Sequence, residues 1–477
     1  MSVYHKILSF LSPREKRRGL LVLIMVIIMA VLETAGVASV MPFLSVLGSP
    51  ERVQTNSLLS WGFESFGFDS LDAFLFALGV AAFAVIVSSA GFRILTHYAM
   101  NRFIEMRRHS ISERLLETYL RQPYAFFLDR HSGDLAKSIL SEVDQLAANV
   151  FRPGMQMIAY SVVILTLIIL LVSFNPLLAC GVAVVIGGMY GSIYLIIRGL
   201  LSRAGSDRFQ ANKERFMAAG EALGGIKDIK LLGREHAYLS RFRGPSIRTS
   251  KALATNQTLS QAPKFVIEAV AFGGVIALVL VLLALQGGVS GGALGEVLPV
   301  LGLYVFAGYK ILPAAQNIFL GVAKLRFGMA TVDGVYEDLC QRSALAEIHK
   351  KVPHPLVPKR YVALEELTYT YPNASSPAIQ NIQLDIPLGS AVGLVGSTGA
   401  GKTTLVDVLL GLLRPQAGAI TVDGQAVTNA NLRAWQQALG YVPQDIFLTD
   451  STVAENIALG VPKEQIDQAQ VEQCACM

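Results

Sequence analysis

Near its carboxyl end the chain reads Gly396-Ser397-Thr398-Gly399-Ala400-Gly401-Lys402-Thr403-Thr404. The apolar run Ala391 to Val395 precedes this turn and is predicted to form a buried strand, while Leu405 to Leu413 is predicted to form an apolar helix. A glycine-rich turn that leads from a strand into a helix and ends in Lys-Thr is the pattern of a P-loop. The sequence therefore predicts an α/β domain that binds phosphate groups in this part of the chain.

The residue types of this turn suit the phosphates of a nucleotide. Glycines let the backbone curl so that successive N–H groups point at the β- and γ-phosphates, and the N-terminus of the following helix adds the positive end of its dipole. Lys402 supplies a mobile positive charge, and the hydroxyl of Thr403 is a predicted magnesium ligand. We therefore predict that residues 396 to 404 bind ATP together with Mg²⁺.

Upstream of this domain the chain is too apolar for an ordinary soluble protein. Of its 477 residues 52% are apolar and 16% are charged, and the mean hydropathy is +0.48. Soluble domains average about 25% charged residues. A disordered chain and a disulfide scaffold are both excluded, the first by hydrophobicity and the second by four cysteines without a typical spacing. A lipid bilayer is the environment that this composition favours.

Six apolar stretches are long enough to cross a bilayer, which takes about 20 residues. They lie roughly at residues 20 to 45, 71 to 95, 155 to 174, 177 to 197, 265 to 285 and 294 to 320. The connections after the first, third and fifth stretches contain a single basic residue, Arg52, whereas the other two connections are rich in Lys and Arg. By the positive-inside rule, this pattern predicts a multi-pass protein of the plasma (inner) membrane with both termini in the cytoplasm.

The positive net charge follows from this topology. Forty Lys and Arg residues against 35 Asp and Glu residues give +5. Because the basic residues cluster in the predicted cytoplasmic connections, they do not indicate nucleic-acid binding. The same connections, including residues 93 to 150, have helical periodicity and few prolines, so we expect the spans to continue as helices into the cytoplasm.

The composition changes near residue 341, and this change predicts the domain boundaries. Gln341 to Arg360 is polar and rich in proline, which is typical of a linker. Tyr361 to Tyr371 and Ile382 to Ile386 alternate like strands. We therefore predict a transmembrane domain over 1–340, a linker over 341–360, and the N-terminal part of a nucleotide-binding domain over 361–477.

These features together resemble ATP-binding cassette (ABC) transporters of the exporter type over nearly the whole chain. Tyr369-Thr370-Tyr371-Pro372 resembles the family's aromatic loop, which implies that Tyr371 stacks on adenine. Tyr441-Val442-Pro443-Gln444-Asp445 resembles its Q-loop, which implies that Gln444 reaches the magnesium ion and the γ-phosphate. The implied fold is a polytopic α-helical membrane domain with six transmembrane helices, followed by a partial α/β P-loop nucleotide-binding domain.

The nucleotide-binding domain departs from the family pattern in its length. Residues 361 to 477 number 477 − 361 + 1, or 117, which is about half of what a family cassette needs. No segment after Gln444 matches the signature motif, the Walker B aspartate with its catalytic glutamate, or the switch histidine. We therefore expect a truncated chain that is an ATP-hydrolysing translocase by resemblance, contains no catalytic residue of its own and is inactive alone. The family's paired cassettes imply a homodimer.

The resemblance also bears on cargo. Leu32-Glu33-Thr34-Ala35-Gly36 and Tyr309-Lys310-Ile311-Leu312-Pro313 are similar to the branch that flips polyprenyl-pyrophosphate-linked oligosaccharides. An aromatic segment near Trp61 resembles that branch's external helix, and segments near 122–127 and 224–230 resemble coupling helices. The leading hypothesis is an ATP-driven half-transporter of a lipid-linked glycan. Export of peptide or another lipid remains an alternative, as does a non-hydrolysing membrane ATP-binding protein or an inactive truncated product.

Charged residues inside the predicted spans are candidates for substrate contact, because burying a charge in lipid is costly. Glu33 and Glu268 would repel a pyrophosphate and are predicted to pair with residues of other helices. Arg93 and Lys310 carry the opposite charge and are predicted to contact the pyrophosphate of the substrate. Snorkelling toward the interface or an interhelical ion pair is the alternative for these two cations.

Overall fold

The computed structural model describes residues 3–48, 53, 57–128, 130, 132–174, 176–286, 294–340, 354–372, 374–444 and 446–476. For residues 270–286 and 294–310 the description covers the helical backbone and not the side chains. The chain divides into two compact units. The first consists of Met1–Gln122 and Phe126–Ala346, and the second of Pro123–Ala125 and Glu347–Met477.

Before residue 341 the described chain is helical almost throughout. Its helices are α1 Val3–Ser9, α2 Pro13–Gly48, α3 Ser57–Ser65, α4 Leu71–Leu120, α5 Tyr124–Leu128, α6 Ser132–Ala136, α7 Val143–Leu146, α8 Arg152–Phe174, α9 Pro176–Gly224, α10 Ile226–Leu232, α11 Glu235–Gln286 and α12 Leu294–Cys340. Two π-helical segments, Lys137–Glu142 and Ala147–Phe151, connect α6 to α8 through α7. Each of the six predicted apolar stretches lies in a long helix.

Three of the helical segments are long and apolar enough to cross a membrane over their described residues, namely Pro13–Val40, Leu71–Leu120 and Gly133–Ser173. The number of six spans therefore stays a prediction. The expected length of the helices is confirmed, because α4 has 50 residues and α9 has 49, and their continuation into the cytoplasm stays a prediction. At 1.5 Å per residue each is about 75 Å long, against a hydrocarbon thickness of about 30 Å.

The helices that contain the six predicted apolar stretches, α2, α4, α8, α9, α11 and α12, are called the membrane-type helices here. Apolar side chains of α2, α4 and α8 form their core. Buried residues of these helices, with one from α12, make one continuous cluster: Val22, Val26, Met29, Ala30, Val37, Met100, Phe103, Ala159, Val163, Leu167, Leu171 and Ile311. A second close contact joins α9 to α12, where a Cβ on Gly205 would collide with the carbonyl oxygen of Phe327. Small residues at helix contacts let backbones approach closely, which is a common device in membrane bundles.

A buried polar network joins the segment Lys137–Glu142 to α9 and α12. The Glu142 carboxylate is 1% exposed and accepts hydrogen bonds from Arg208 Nη1 at 2.7 Å, Asn212 Nδ2 at 3.0 Å and Thr331 Oγ1 at 3.1 Å. Arg208 is itself 3% exposed and also donates to Thr331 at 3.3 Å. A buried ion pair is tolerated when its remaining donors and acceptors are satisfied. This network therefore fixes the relative position of three helical segments.

Replacement of Glu142 by Ala is expected to destabilise the first unit, because Arg208 would be left as an uncompensated buried charge. The expected loss is about 3–5 kcal/mol, the range for breaking a buried pair. Glu214→Ala is the matched control, since Glu214 forms an exposed ion pair with Arg248 at 2.9 Å and such pairs contribute about 0–1 kcal/mol. Thermal unfolding of both variants in lipid nanodiscs measures the difference. Equal midpoints for the two variants would contradict the assigned role of the network.

The second unit contains a four-stranded antiparallel sheet in the order β2-β1-β3-β4. Its strands are β1 Tyr361–Tyr369, β2 Ile379–Pro387, β3 Ala417–Val422 and β4 Gln425–Ala426. Its helices are α13 Lys402–Leu409, α14 Leu432–Gln437, α15 Val453–Ile457 and α16 Gln468–Ala475. Buried side chains of β1 and of α13 meet in one cluster that includes Leu364, Leu367 and Val408. The two strands predicted from alternation are therefore confirmed.

Two expectations for the segment around the glycine-rich turn are wrong. Ala391–Val395 forms no strand, and its last residue, Val395, is 97% exposed. An apolar run becomes a buried strand only when flanking strands supply hydrogen-bond partners, and the strands of the described sheet pair with one another instead. The helix ends at Leu409 rather than at Leu413, because the N–H groups of Leu412 and Leu413 turn back to the Asp407 carbonyl. Burial raises the pKa of the Asp407 carboxyl.

Candidate functional site

The glycine-rich turn at residues 396–404 forms a compact loop that opens α13. Gly399 and Gly401 both have left-handed backbone angles, with φ of 85° and 84°. The Ala400 N–H donates a hydrogen bond of 3.2 Å to the Ser397 carbonyl, which closes a turn over residues 397–400. The loop conformation therefore matches the curl that the spacing of glycines predicts.

Gly401 is the position where the fold leaves no room for a side chain. A Cβ there would collide with the Ala378 carbonyl oxygen and would lie 2.9 Å from Ile379 Cγ2, at the start of β2. The Gly401 carbonyl accepts the first helical hydrogen bond of α13, from the Leu405 N–H at 2.9 Å. The N–H groups of the first helical turn, which precede Leu405, have no acceptor within the helix. They form a set of donors suited to an anion.

The Lys402 amino group lies over the loop from which it starts. Its Nζ donates hydrogen bonds to the carbonyl oxygens of Gly396 and Ser397, both at 2.8 Å. A P-loop lysine needs to reach the outer phosphates of a nucleotide from the same position. The turn thus carries both a positive charge and the backbone donors of the first turn of α13. This combination fits the phosphates of a nucleotide with a divalent cation.

Tyr371 contacts the P-loop helix directly. Its hydroxyl and Thr404 Oγ1 are 3.0 Å apart, and Thr404 is 6% exposed. The Tyr371 ring also packs edge-on against Tyr369, with centroids 5.1 Å apart. The sequence did not predict this link, since the two residues stand in different motifs. Thr404 thereby ties the predicted aromatic loop to the predicted phosphate loop.

The predicted magnesium ligands are differently placed. Thr403 is exposed in the first turn of α13, where its hydroxyl is free to meet a ligand bound on the loop. Gln444 is exposed, and among the described residues no hydrogen bond joins its side chain to residues 396–404. The described part of the chain has no group of three His, Cys, Asp or Glu side chains suited to a metal. Mg²⁺ at nucleotide sites takes most of its ligands from phosphates and water, so such a group is not required.

Within the predicted spans, Arg93 and Glu33 form an ion pair between α4 and α2. Arg93 Nη1 lies 3.1 Å from Glu33 Oε1, and the exposed fractions of the two side chains are 47% and 9%. The pairing predicted for Glu33 is confirmed. Glu268 instead lies 3.8 Å from Lys264 on its own helix. The side chain of Lys310 lies outside the described residues.

Comparisons with known proteins agree with this arrangement. A family model described as "ABC transporter transmembrane region" matches residues 18–295, and one described as "ABC transporter" matches residues 379–475. The ATP-dependent lipid A-core flippase of Ralstonia nicotianae is 26% identical over 400 residues, which cover 81% of this chain and 65% of that protein. The match to the transmembrane-region model covers more than half of the chain.

Two further relatives extend the comparison. The ATP-dependent lipid A-core flippase of Saccharophagus degradans is 28% identical over 402 residues, covering 79% of this chain and 61% of the relative. A fatty acid ABC transporter ATP-binding/permease protein of Mycobacterium tuberculosis is 27% identical over 366 residues, covering 73% of this chain and 54% of the relative. The chain therefore spans less than two thirds of the length of these curated relatives.

Replacement of Lys402 by Ala is expected to weaken nucleotide binding at least about ten-fold, because charge-assisted hydrogen bonds to phosphate contribute about 1.5–3 kcal/mol each. Photolabelling of the chain with an azido-ATP analogue measures the effect. Lys463→Ala is the control, since Lys463 carries the same charge on the surface of the same unit and is 76% exposed. Equal labelling of the Lys402 variant and the wild type would contradict the assignment of the loop.

Proposed function

The chain belongs to the ABC transporter family, and from this premise we propose that it acts as one half of an ATP-driven transporter that moves a lipid-linked molecule across the plasma membrane. The observation that carries the proposal is the presence, in one chain, of long apolar helices and a loop built for phosphates. The loop offers the N–H groups of the first turn of α13 and the Lys402 ammonium. A chain with both parts is equipped to couple nucleotide binding to events in a membrane.

The proposed nucleotide site consists of the P-loop residues 396–404, with Tyr371 under the adenine and Gln444 and Thr403 at the magnesium ion. Hydrolysis of bound ATP with Mg²⁺ would supply the energy for transport. The chain's own contribution is to hold the phosphates through its backbone donors and Lys402, and to fix the aromatic loop through the Tyr371–Thr404 contact at 3.0 Å. Two copies of the chain are proposed to form the working transporter.

The short helices α5 and α10 are proposed to transmit movement from the nucleotide-binding part to the membrane part. Both are brief, α5 with five residues and α10 with seven; α5 follows the long helix α4, and α10 lies between the long helices α9 and α11. Residues Pro123–Ala125, at the start of α5, belong to the second compact unit rather than to the first. Helix α5 overlaps the segment near 122–127 and helix α10 overlaps the segment near 224–230, the two segments that resemble coupling helices. Their role in coupling is part of the proposal.

The proposed cargo is a polyprenyl-diphosphate-linked oligosaccharide. Relatives named lipid A-core flippase and fatty acid transporter support a lipid as the class of cargo. Arg93, which is nearly half exposed among apolar helices, supports an anionic headgroup. The outer helix α3, with Trp61 exposed and Phe63 packed inward, supports a site that contacts lipid at the interface. Another anionic lipid is the second candidate, favoured by the same relatives.

Inverted plasma-membrane vesicles that contain the chain extended to a complete cassette are expected to translocate a fluorescent short-chain polyprenyl-diphosphate sugar when ATP and Mg²⁺ are added. Lys402→Ala is expected to abolish this movement, while Lys463→Ala is expected to leave it unchanged. The measurement is the fraction of the probe protected from an external quencher. Movement of a fluorescent fatty acid in place of the glycolipid would contradict the proposed cargo. Movement that does not depend on Lys402 would contradict the proposed use of ATP.

The proposed orientation predicts the accessibility of two exposed serines. Ser65 in α3 and Ser206 in α9 are both exposed, and the proposal puts Ser65 outside and Ser206 in the cytoplasm. In a background without native cysteines, Ser65→Cys is expected to react with an impermeant maleimide added to whole cells, and Ser206→Cys only after permeabilisation. Reversed labelling would contradict the orientation.

A further inference from the structure

The ion pair between Glu33 and Arg93 is unequal in its surroundings. Glu33 is 9% exposed, and the residues one turn away from it on α2, Met29, Ala30 and Val37, all belong to the buried apolar cluster. Arg93 is 47% exposed on α4. The carboxylate therefore requires a positive partner, because an uncompensated buried charge is strongly unfavourable. The arginine, in contrast, has access to a second partner from its exposed side.

The guanidinium keeps most of its hydrogen-bonding capacity. Arginine has five N–H donors in a planar fork, and among the described contacts Arg93 uses Nη1, in the bond of 3.1 Å to Glu33 Oε1. Its donors at Nε and Nη2 have no hydrogen bond among the described contacts. Such a fork matches the two oxygens of a phosphate. The arrangement thus allows Arg93 to contact Glu33 and an anion at the same time.

The neighbourhood holds Glu33 in place independently of Arg93. Thr34, the next residue on α2, donates a hydrogen bond to Thr166 Oγ1 on α8 at 2.8 Å. Gly36, one turn further, lies beside Ile86 of α4, since a Cβ there would be in ordinary van der Waals contact, 3.8 Å from Ile86 Cγ1. Tyr160 of α8 is within electrostatic range of both charges. The position of the carboxylate is therefore set by the packing of three helices.

We infer that Glu33 is a fixed counter-charge that lowers the affinity of Arg93 for the phosphate or diphosphate headgroup of a lipid, so that the headgroup is released after it has bound. The inference rests on the proposed function, because it concerns the same anionic cargo. A phosphate on the exposed side of the guanidinium lies close enough to the Glu33 carboxylate for repulsion to weaken binding by at least about ten-fold at the effective dielectric constant of a protein surface. A transport site must bind its cargo and also release it, which limits the useful affinity.

Glu33→Gln separates this role from a structural one. The amide oxygen of glutamine still accepts the hydrogen bond from Arg93, so the contact and the volume are kept while the negative charge is lost. If Glu33 acts as a counter-charge, the variant binds a diphosphate lipid about ten-fold more tightly than the wild type. Glu268→Gln is the matched control, since Glu268 is also an intramembrane-type glutamate but pairs with Lys264 on its own helix. It is expected to leave binding unchanged.

The experiment measures equilibrium binding of radiolabelled farnesyl diphosphate, farnesol and inorganic pyrophosphate to the purified full chain in neutral detergent. All variants carry Lys402→Ala, so that the P-loop does not contribute to diphosphate binding. A ten-fold gain for Glu33→Gln with farnesyl diphosphate, and no gain with farnesol, supports the inference. An affinity for farnesyl diphosphate that is unchanged or weaker in Glu33→Gln overturns it. An equal affinity and an equal gain with inorganic pyrophosphate overturns the assignment of a lipid as the ligand.

The proposed cargo and the role of Glu33 fail in different ways. If the chain without the Glu33 change binds farnesyl diphosphate and farnesol equally, the cargo proposal fails. If it prefers farnesyl diphosphate and Glu33→Gln leaves that preference as it is, only the role of Glu33 fails. Because Arg93→Gln alone removes the positive charge beside a buried carboxylate and endangers folding, the test of Arg93 uses the neutral pair Glu33→Gln with Arg93→Gln. This double variant is expected to keep its thermal stability and to lose the preference for the diphosphate.

Discussion

The buried carboxylate of Glu142 imposes the constraint on which the arrangement of the helices depends. A charge at 1% exposure has to be matched by donors, and these come from Arg208, Asn212 and Thr331, on two other helices. Apolar packing alone does not fix the register of two long helices, because one apolar face packs against another at many offsets. A carboxylate with fixed donors permits one register. The close approach of α9 and α12 at Gly205 is possible in that register and not in the registers next to it.

The same rule governs the P-loop and the ion pair of the membrane-type helices, although the groups differ. In the loop, Lys402 donates hydrogen bonds to two backbone carbonyls, and in the membrane-type helices Arg93 donates one to Glu33. Each pair satisfies its own hydrogen-bonding needs while leaving donors available to an anion. The fold thus places positive charge where its hydrogen bonds are made within the protein, to backbone carbonyls at Lys402 and to a carboxylate at Arg93. A phosphate that binds Lys402 replaces its hydrogen bonds to the loop carbonyls, whereas a phosphate that binds Arg93 adds to its contact with Glu33.

Local sequence patterns predicted some of these features and not others. The glycines of residues 396–404 were sufficient to predict the loop, and the alternation of β1 was sufficient to predict a strand, because both features depend on residues next to one another in the chain. Ala391–Val395 was misassigned as a strand, because the partners of a strand are not encoded in its own residues. Local patterns did not predict the Glu142 network, since Thr331 lies 189 residues away from Glu142 in the chain. The contact of Tyr371 with Thr404 spans 33 residues and joins two motifs that were interpreted separately.

The length of the helices has a mechanical consequence. An unbroken helix such as α4, with 50 residues, behaves as a stiff rod of about 75 Å. A tilt of about 5° at one end moves the other end by about 6 or 7 Å, which exceeds the rise of one helical turn, about 5.4 Å. Angular changes too small to disturb side-chain packing near the pivot are therefore amplified, by leverage alone, into displacements as large as a sugar or phosphate group.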